Sequence, residues 1–337
     1  MNAVAPPTPP TPLASALTEA FALGRPLGHL QPVQHSVSRT WRIESDAGRF
    51  LVKELWPISG PDAYWADQLT ERRAFESWAS AEGVLVPAAV EPVDPVAGWV
   101  GRVDGSGGYR VSEWVEHRRV GPEDDLSDWL GRLLATLHRY RPWTGDPDPY
   151  YYIHADDDWT RWLDEARAAG RGYADELAAR TAGYIALTHE LHAVHQRADD
   201  RTYTHRDVVP FNVLVARDGP YLVDWDVAGP DSASLETGLA AVAFAADRPE
   251  RVRRTLESYH AHGGQRLRLT GTNLFAHRVG KELGRLTSLL GTVSSGEPLR
   301  GWQLDRGTDV DDAVRQQIRD TDDTIARVHR LAIVLSG

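Results

Sequence analysis

A segment near the middle of the chain, residues 203–230, combines carboxylate and amide side chains at a distinctive spacing. It reads YTHRDVVPFNVLVARDGPYLVDWDVAGP and contains Asp207, Asn212 and Asp224. Phosphoryl transfer needs a carboxylate that accepts a hydroxyl proton, and oxygen ligands that hold Mg²⁺ against the phosphates. Asp207 and Asn212 are five positions apart, so a short loop can present both side chains toward one point.

The residues after this loop predict a β-hairpin that returns Asp224 to Asn212. Residues 213–215 are branched and apolar, a turn is predicted at Asp218-Gly219-Pro220, and residues 221–223 form the second strand. Mg²⁺ prefers oxygen ligands and keeps substrate phosphate in its shell, so one Asn and one Asp are a suitable protein contribution. The alternative is an ordinary hairpin with surface carboxylates, because the H-x-D-x-x-x-x-N pattern alone is not specific.

The same segment resembles the aminoglycoside phosphotransferase and choline kinase-like family, whose core is related to protein kinases. The family pattern is H-G-D-x-x-x-x-N, then a hydrophobic strand and I-D-[WF]; this chain has HRDVVPFN and VDWD. The resemblance implies that Asp207 is the catalytic base and that Asn212 and Asp224 bind Mg²⁺, while Asp226 is a loop-capping carboxylate. Arg206 stands where the family usually has Gly, which leaves the subfamily open.

The fold that this resemblance implies is α+β, a bilobal protein-kinase-like fold. A small antiparallel β-sheet with one main helix forms the N-terminal lobe, and the larger C-terminal lobe is mostly helical. We expect a flexible Pro-rich tail and short helix in residues 1–28, the nucleotide-binding lobe and hinge in 29–115, and the catalytic loop, metal site and acceptor site in 116–337. Apolar periodicity predicts helices at 62–82, 127–140, 159–169, 175–197, 232–246, 251–260, 273–290 and 310–335, and strands at 99–103 and 109–115.

Lysine is scarce in this chain, since only Lys53 and Lys281 occur against many arginines. Lys53 lies in RFLVKELW, a predicted strand, where a charge needs a partner or a ligand. By resemblance its ammonium contacts the α- and β-phosphates of a nucleotide; the alternative is a Lys on the solvent face of an edge strand. The family's Lys pairs with a Glu on the next helix, which predicts Glu71, with Glu76 as a competing residue that would otherwise be a solvated helix charge.

Two further nucleotide contacts follow from the resemblance. Ser112, Glu113 and Trp114 resemble the interlobe hinge, whose backbone groups hydrogen-bond adenine, although a strand end with a buried Trp is compatible. The phosphate-covering loop would fall near Ser36 and Ser38, but it contains no G-x-G-x-x-G, and a Ser-rich turn is the alternative. His138 and Glu236 are interpreted as structural.

Composition excludes several classes of protein. The chain has 337 residues, is 42% hydrophobic and 25% charged, and contains no cysteine, which excludes disulfides and thiolate metal sites. Its net charge of −11 disfavours a nucleic-acid partner. We find no apolar stretch of membrane-spanning length and no signal peptide in the Pro-rich start, and therefore expect a cytoplasmic protein, monomeric or homodimeric.

The acceptor is the least determined part of the prediction. Asp157 and Asp158 adjoin Trp159 and Trp162, and aromatic faces beside carboxylates can hold an ammonium group. The alternatives are a solvated first turn for the acidic residues and core packing for the tryptophans.

The sequence therefore predicts an ATP- or GTP- and Mg²⁺-dependent O-phosphotransferase for a small, cationic molecule such as an aminoglycoside. A metabolite kinase for choline, a hydroxy amino acid or a sugar is the alternative, and a nucleotide-binding pseudokinase regulator is a third.

Overall fold

The computed structural model describes residues 11–35, 39–55, 62–103, 108–145, 155–299, 302–303 and 309–336. The chain divides into two compact units. One comprises residues 1–119 together with 213–226, and the other comprises residues 120–212 together with 227–337. The hairpin that we assigned to the C-terminal lobe therefore groups with the N-terminal unit.

The N-terminal unit is built on an antiparallel sheet. Its helices are α1 (Thr11–Ala20) and α2 (Asp62–Ala81), and its strands are β1 (Gln31–His35), β2 (Arg39–Ser45), β3 (Gly48–Glu54), β4 (Ala89–Val90), β5 (Pro95–Ala97), β6 (Val100–Arg102), β7 (Gly108–Glu113), β8 (Arg118–Arg119), β10 (Val213–Ala216) and β11 (Gly219–Leu222). Seven strands form the main sheet in the order β1-β2-β3-β7-β6-β5, with β4 also paired to β7, and a smaller sheet has the order β11-β10-β8.

Alternating side chains of the central strands form the core of this unit. Trp41 and Ile43 of β2, Val52 of β3 and Val111 of β7 are buried, as expected where one sheet face is covered. Helix α1 covers them, and its Leu17 is fully buried. The short N-terminal helix is thus an integral part of the unit's core.

The second unit is mostly helical. Its helices are α3 (Ser127–Leu137), α4 (Asp156–Ala168), α5 (Ala174–Arg197), α6 (Ala233–Phe244), α7 (Pro249–Ala261), α8 (Ala276–Ser294) and α9 (Val310–Ser336), and its two strands, β9 (Arg201–Thr204) and β12 (Gly229–Ser232), pair antiparallel. The predicted helices are confirmed with small shifts at their ends. None of the described helices is long and apolar enough to cross a membrane.

Close packing around α6 fixes the position of several neighbours. Ser232 caps the helix by accepting a hydrogen bond from the Leu235 N–H at 3.2 Å. A Cβ at Gly238 would lie 1.8 Å from the carbonyl oxygen of Leu274, so a larger residue would push the 271–275 turn away. Because that turn leads directly into α8, Gly238 helps to set where α8 begins.

Candidate active site

In the N-terminal unit, Lys53 of β3 is held by two carboxylates. Its Nζ lies 2.6 Å from Oδ1 of Asp224 and 2.5 Å from Oδ2 of Asp226, and 14% of the side chain is exposed. Burial alone would lower the pKa of Lys53, but Asp226 and Asp224 outweigh it and raise the pKa above its ordinary value. Lys53 is therefore a firmly protonated cation beside two carboxylates, and not a lysine on the solvent face.

Trp225 anchors the segment that carries these carboxylates. It is fully buried, donates its Nε1–H to the carbonyl oxygen of Leu222 at 3.3 Å, and meets the edge of Phe75 of α2 at 5.3 Å between ring centroids. Asp224 just before it has a φ of +71°, a left-handed conformation that few non-glycine residues adopt. Such conformations cluster at functional sites, because the surrounding packing has to hold them in place.

Arg110 of β7 extends this charge cluster to the main helix of the unit. Its guanidinium lies 2.8 Å from Oδ1 of Asp226 and 3.2 Å from Oε1 of Glu76 on α2, whose side chain is only 3% exposed. Burial raises the pKa of Glu76 despite Arg110, and Lys53 and Arg110 hold the pKa of Asp226 far below its ordinary value against the opposing effect of burial. The interpretation of Glu76 as a solvated helix charge is therefore wrong, and Asp226 is an ion-paired residue and more than a loop cap.

Glu71, the predicted partner of Lys53, lies on α2 and is half-buried. The ion pairs that the structure gives Lys53 run instead to Asp224 and Asp226. A pairing of Glu71 with Lys53 stays a prediction.

The predicted adenine-binding segment is partly engaged within the protein. The N–H of Glu113 donates to the carbonyl oxygen of Ala88 at 2.8 Å, and the N–H of Trp114 donates to that of Arg49 at 2.9 Å. Ser112 is buried within β7. An adenine contact by Glu113 or Trp114 would therefore use carbonyl groups. The predicted phosphate contacts Ser36 and Ser38 lie outside the described residues.

In the helical unit, Asp207 has a bonded partner at each carboxylate oxygen. Oδ1 is ion-paired with Lys281 of α8, and Oδ2 accepts a hydrogen bond from Nδ2 of Asn212 at 2.7 Å. Burial alone would raise the pKa of Asp207, but Lys281, with smaller contributions from His205 and Asn212, lowers it. The sequence pattern thus placed Asp207 and Asn212 together correctly, and Asp207 is held ionised.

A fully buried carboxylate, that of Glu236, shapes the loop around Asp207. Glu236 of α6 is fully buried, accepts a hydrogen bond from the Arg206 N–H, and lies 2.8 Å from Nε2 of His138. Nδ1 of His138 in turn bonds the hydroxyl of Tyr259 at 2.9 Å. These contacts give Glu236 and His138 the structural role that the sequence predicted.

Arg206, which stands where the family pattern has Gly, adopts a backbone conformation that is typical of glycine. Its φ is +66°, a conformation that glycine adopts without strain, and its guanidinium donates to the carbonyl oxygen of Pro230. The side-chain hydrogen bond helps to offset the backbone cost that a Gly at this position would avoid.

A buried Asp–His pair fixes the start of the helix that carries Lys281. Asp231 of β12 accepts a hydrogen bond from Nε2 of His277 on α8 at 2.8 Å, and His195 of α5 lies 3.7 Å from its other oxygen. His277 precedes Lys281 by one helical turn. The contact between β12 and α8 therefore supports the position from which Lys281 reaches Asp207.

His195 predicts acid sensitivity of the helical unit. Burial lowers the pKa of His195 to about 4, so folding favours the neutral ring and the unfolded chain binds the extra proton between pH 6.5 and 4. The free energy of unfolding therefore decreases as the pH is lowered from 6.5 to 4, and His195 accounts for about 3 kcal/mol of that decrease. Urea unfolding at pH 7 and pH 4.5 should show a smaller pH dependence in His195→Gln. The exposed His189 of the same helix is the matched control, and equal pH dependence in both variants would contradict the prediction.

The predicted acceptor segment proves to be largely core. Trp159 is fully buried and Trp162 nearly so, and the Trp159 ring packs 5.6 Å from Trp162 and 5.5 Å from Tyr184. A fully buried ring offers no face to a ligand, so the acceptor prediction for both tryptophans is wrong and core packing is confirmed. Asp157 and Asp158 lie in the first turn of α4, where Asp158 pairs with Arg161 at 2.7 Å.

We expect Trp159→Ala to destabilise the protein by about 3–5 kcal/mol, because truncating a buried aromatic side chain leaves a cavity. Replacing Asp157 and Asp158 by Ala together should change stability by less than about 0.5 kcal/mol per residue. Denaturant unfolding checks both values. The double variant also tests the acceptor prediction for these two carboxylates, since an unchanged acceptor KM removes them from the site.

The sequence interpretation missed Lys281 and Arg110. The scarcity of lysine that singled out Lys53 applies equally to Lys281, so that signal was present. Arg110 is a charge in the middle of a predicted strand, which was the argument used for Lys53. What the sequence did not supply was the partner in either case.

Comparison with known proteins identifies the family and the fold of the chain. Residues 29–269 match the model of a family described as the phosphotransferase enzyme family. A search of curated proteins found no match. Among solved structures, a spectinomycin phosphotransferase in complex with ADP and spectinomycin has 12% identity and a TM-score of 0.62, and the match covers 96% of this chain and 97% of that one.

Two kinases with other substrates are similar to a comparable degree. A choline kinase from Streptococcus pneumoniae has 14% identity and a TM-score of 0.61, with 94% of this chain and 99% of that chain covered. A microcompartment-associated aminopropanol kinase has 18% identity and a TM-score of 0.58, with 96% of each chain covered. At these identities the likeness shows the kinase-like fold and leaves the substrate open.

Proposed function

The chain belongs to the phosphotransferase enzyme family, and from this premise we propose that it transfers the γ-phosphoryl group of ATP or GTP to a hydroxyl group of a small molecule. The observation that carries the proposal is the ionised, partly buried Asp207, with Asn212 bonded to it at the spacing of a kinase catalytic loop. The similar spectinomycin phosphotransferase, whose structure contains ADP, supports the use of a nucleotide.

Asp207 is the general base in this proposal. The acceptor hydroxyl oxygen forms a bond to the γ-phosphorus, the bond from that phosphorus to the β–γ bridging oxygen breaks, and the nucleoside diphosphate leaves. The hydroxyl proton passes to the carboxylate of Asp207. Asn212 and Lys281 orient that carboxylate through the bonds described above, so that it is ionised and positioned before the acceptor arrives.

Lys53 supplies positive charge for nucleotide phosphate. Its ammonium is protonated and bonded to Asp224 and Asp226, which fix its direction, and a compact point charge of this kind suits phosphate. Glu76 and Arg110 support Asp226 from the helix side. Asp224 and Asp226 therefore hold the ammonium of Lys53 in position, and Asp224 is also a candidate metal ligand.

The chemistry of Asn212 and Asp224 fits Mg²⁺. Asn212 donates through its Nδ2, which leaves the amide oxygen for a hard cation, and Asp224 is bonded to Lys53 through one carboxylate oxygen only. When bound, Mg²⁺ would neutralise negative charge on the phosphate groups. The family also implies this metal, and we propose both residues as its ligands.

Two acceptor classes remain under this proposal. A cationic aminoglycoside or related antibiotic is the first, in keeping with the aminoglycoside phosphotransferase resemblance. A hydroxylated metabolite is the second, and the ammonium of Lys281 at Asp207 favours it, because a polycation would meet a like charge there. The availability of ATP makes the cytoplasm the compartment that we propose.

The direct test is nucleoside diphosphate release with Mg²⁺ and ATP or GTP over a panel of aminoglycosides, other hydroxylated antibiotics, choline, sugars and hydroxy amino acids. Acceptor-dependent release that disappears in Asp207→Ala supports the proposal and identifies the class. Nucleotide binding without release across the whole panel contradicts it, and would support a regulatory pseudokinase.

A further inference from the structure

The ion pair between Lys281 and Asp207 puts a fixed positive charge at the atom that is proposed to take the acceptor's proton. Both residues belong to the helical unit, and 18% of the Lys281 side chain and 26% of the Asp207 side chain are exposed. In the described catalytic loop, residues 205–212, no side chain after Asp207 carries a positive charge. The cation at the base therefore comes from helix α8.

Hydrogen-bond lengths fix how near the acceptor comes to this charge. A hydroxyl that gives its proton to Asp207 lies about 2.7 Å from a carboxylate oxygen. Lys281 bonds the same carboxylate, so its ammonium lies within about 5–6 Å of the reacting hydroxyl oxygen. An ammonium group on the acceptor next to that hydroxyl would meet Lys281 at this distance. The repulsion of these two charges alone would weaken binding about a hundredfold at the effective dielectric constant of a partly buried site, and the carboxylate of Asp207 offsets part of that effect.

Helix α8 adds positive charge on either side of Lys281. Arg278 precedes it by three residues and Arg285 follows it by four, so both are its neighbours on the helix surface. Glu282 accepts from each of them, at 2.8 Å and 3.0 Å. Glu282 is thus ion-paired with two guanidinium groups. Together with Lys281, α8 presents three positive charges and one negative charge in this region.

Arg278 and Arg285 also line a cavity of about 570 Å³, which is formed by side chains of α8 and α9 together with Asp247. The cavity is lined by polar residues, among them four arginines and four carboxylates, and Asp247 pairs with Arg327 at 2.9 Å. It is lined by Asp247, Arg278, Glu282, Arg285, Asp320, Asp323, Thr324, Arg327 and Arg330. Lys281 therefore stands on the helix that supplies two of the four arginines of a polar cavity.

We propose that Lys281 determines acceptor specificity: the molecule that is phosphorylated carries an anionic group, a carboxylate or a phosphate, close to the reacting hydroxyl, and Lys281 binds that group. This inference rests on the proposed phosphotransferase function and narrows its acceptor class. An ammonium group has three N–H bonds, and the bond to Asp207 uses one of them, so Lys281 can contact an acceptor anion while it still holds the base.

Matched acceptors that differ in one group of changed charge provide the test. One series is glucuronate, glucose and 6-amino-6-deoxyglucose, and the other is 3-hydroxypropanoate, 1,3-propanediol and 3-aminopropanol. For each compound we would measure Mg²⁺- and ATP-dependent kcat/KM, and binding by calorimetry, with the wild type, Lys281→Met and Lys281→Arg. Lys281→Arg keeps the charge and serves as the control for loss of the side chain itself, while circular dichroism checks that each variant folds.

We expect the wild type to prefer the anionic member over the ammonium member of a series by about tenfold or more, since the charge of Asp207 offsets part of the roughly hundredfold effect of Lys281 alone. Lys281→Met should reduce that ratio at least tenfold, whereas Lys281→Arg should keep most of it. A wild-type preference for the ammonium member, an equal ratio in Lys281→Met, or no binding of either anionic compound to the wild type would each overturn the inference. ADP formation that depends on a hydroxyl acceptor and on Asp207, but without an anionic preference, would overturn this inference alone and leave the proposed function standing.

Discussion

Asp207→Asn should bind nucleotide as the wild type does and turn over at least about 10²–10⁴-fold more slowly. The substitution keeps the size of the side chain and its capacity to bond Asn212, but it removes the carboxylate that would accept the hydroxyl proton. It also leaves Lys281 without its anionic partner. Acceptor-dependent ADP release measures turnover, and titration with ADP followed by fluorescence or calorimetry measures binding.

Asp199→Asn is the matched control for this variant. Asp199 belongs to the same unit, its side chain is 70% exposed, and its pairing with Arg268 at 3.7 Å is a surface contact. It should retain full turnover and stability. If Asp207→Asn keeps more than a tenth of wild-type turnover while Asp199→Asn behaves as expected, Asp207 is not the base.

Local sequence signals predicted most of the architecture. Apolar periodicity located the helices of the second unit, and the turn at residues 218–220 with its flanking strands located the β10–β11 hairpin, because both depend on residues close together in the chain. Asp207 and Asn212 were found for the same reason, as they share one short loop.

Contacts between distant residues account for what the sequence did not predict. Lys281 and Asp207 are 74 positions apart, and Arg110 and Asp226 are 116 apart. A single sequence does not show which of many arginines and carboxylates meet after folding. Trp159 illustrates the same limit, because an aromatic residue beside acidic ones fits both a ligand-binding face and a buried core position, and only the packing of α4 against α5 decides between them.

Arg110→Met should destabilise the N-terminal unit by about 3–5 kcal/mol. Arg110 is the cation shared by Glu76 and Asp226, and Glu76 is 2% exposed, so its removal leaves a buried carboxylate without its partner. The position of Lys53 becomes less fixed as well, because its partner Asp226 loses the ion pair with Arg110. Urea unfolding followed by tryptophan fluorescence should show the loss of stability, and nucleotide affinity should fall in parallel.

Arg73→Met separates the buried ion pair from the aromatic contact. Arg73 and Arg110 both lie over the ring of Trp99, at 4.9 Å and 4.8 Å from its centroid. Arg73, however, pairs with the exposed Glu91, so its replacement should cost less than about 1 kcal/mol. In the double variant Glu76→Gln with Arg110→Met, the buried charge is removed together with its partner, and a substantial part of the lost stability should return. Equal losses in Arg73→Met and Arg110→Met would assign the effect to Trp99, and no recovery in the double variant would show that Glu76 is not the group that Arg110 neutralises.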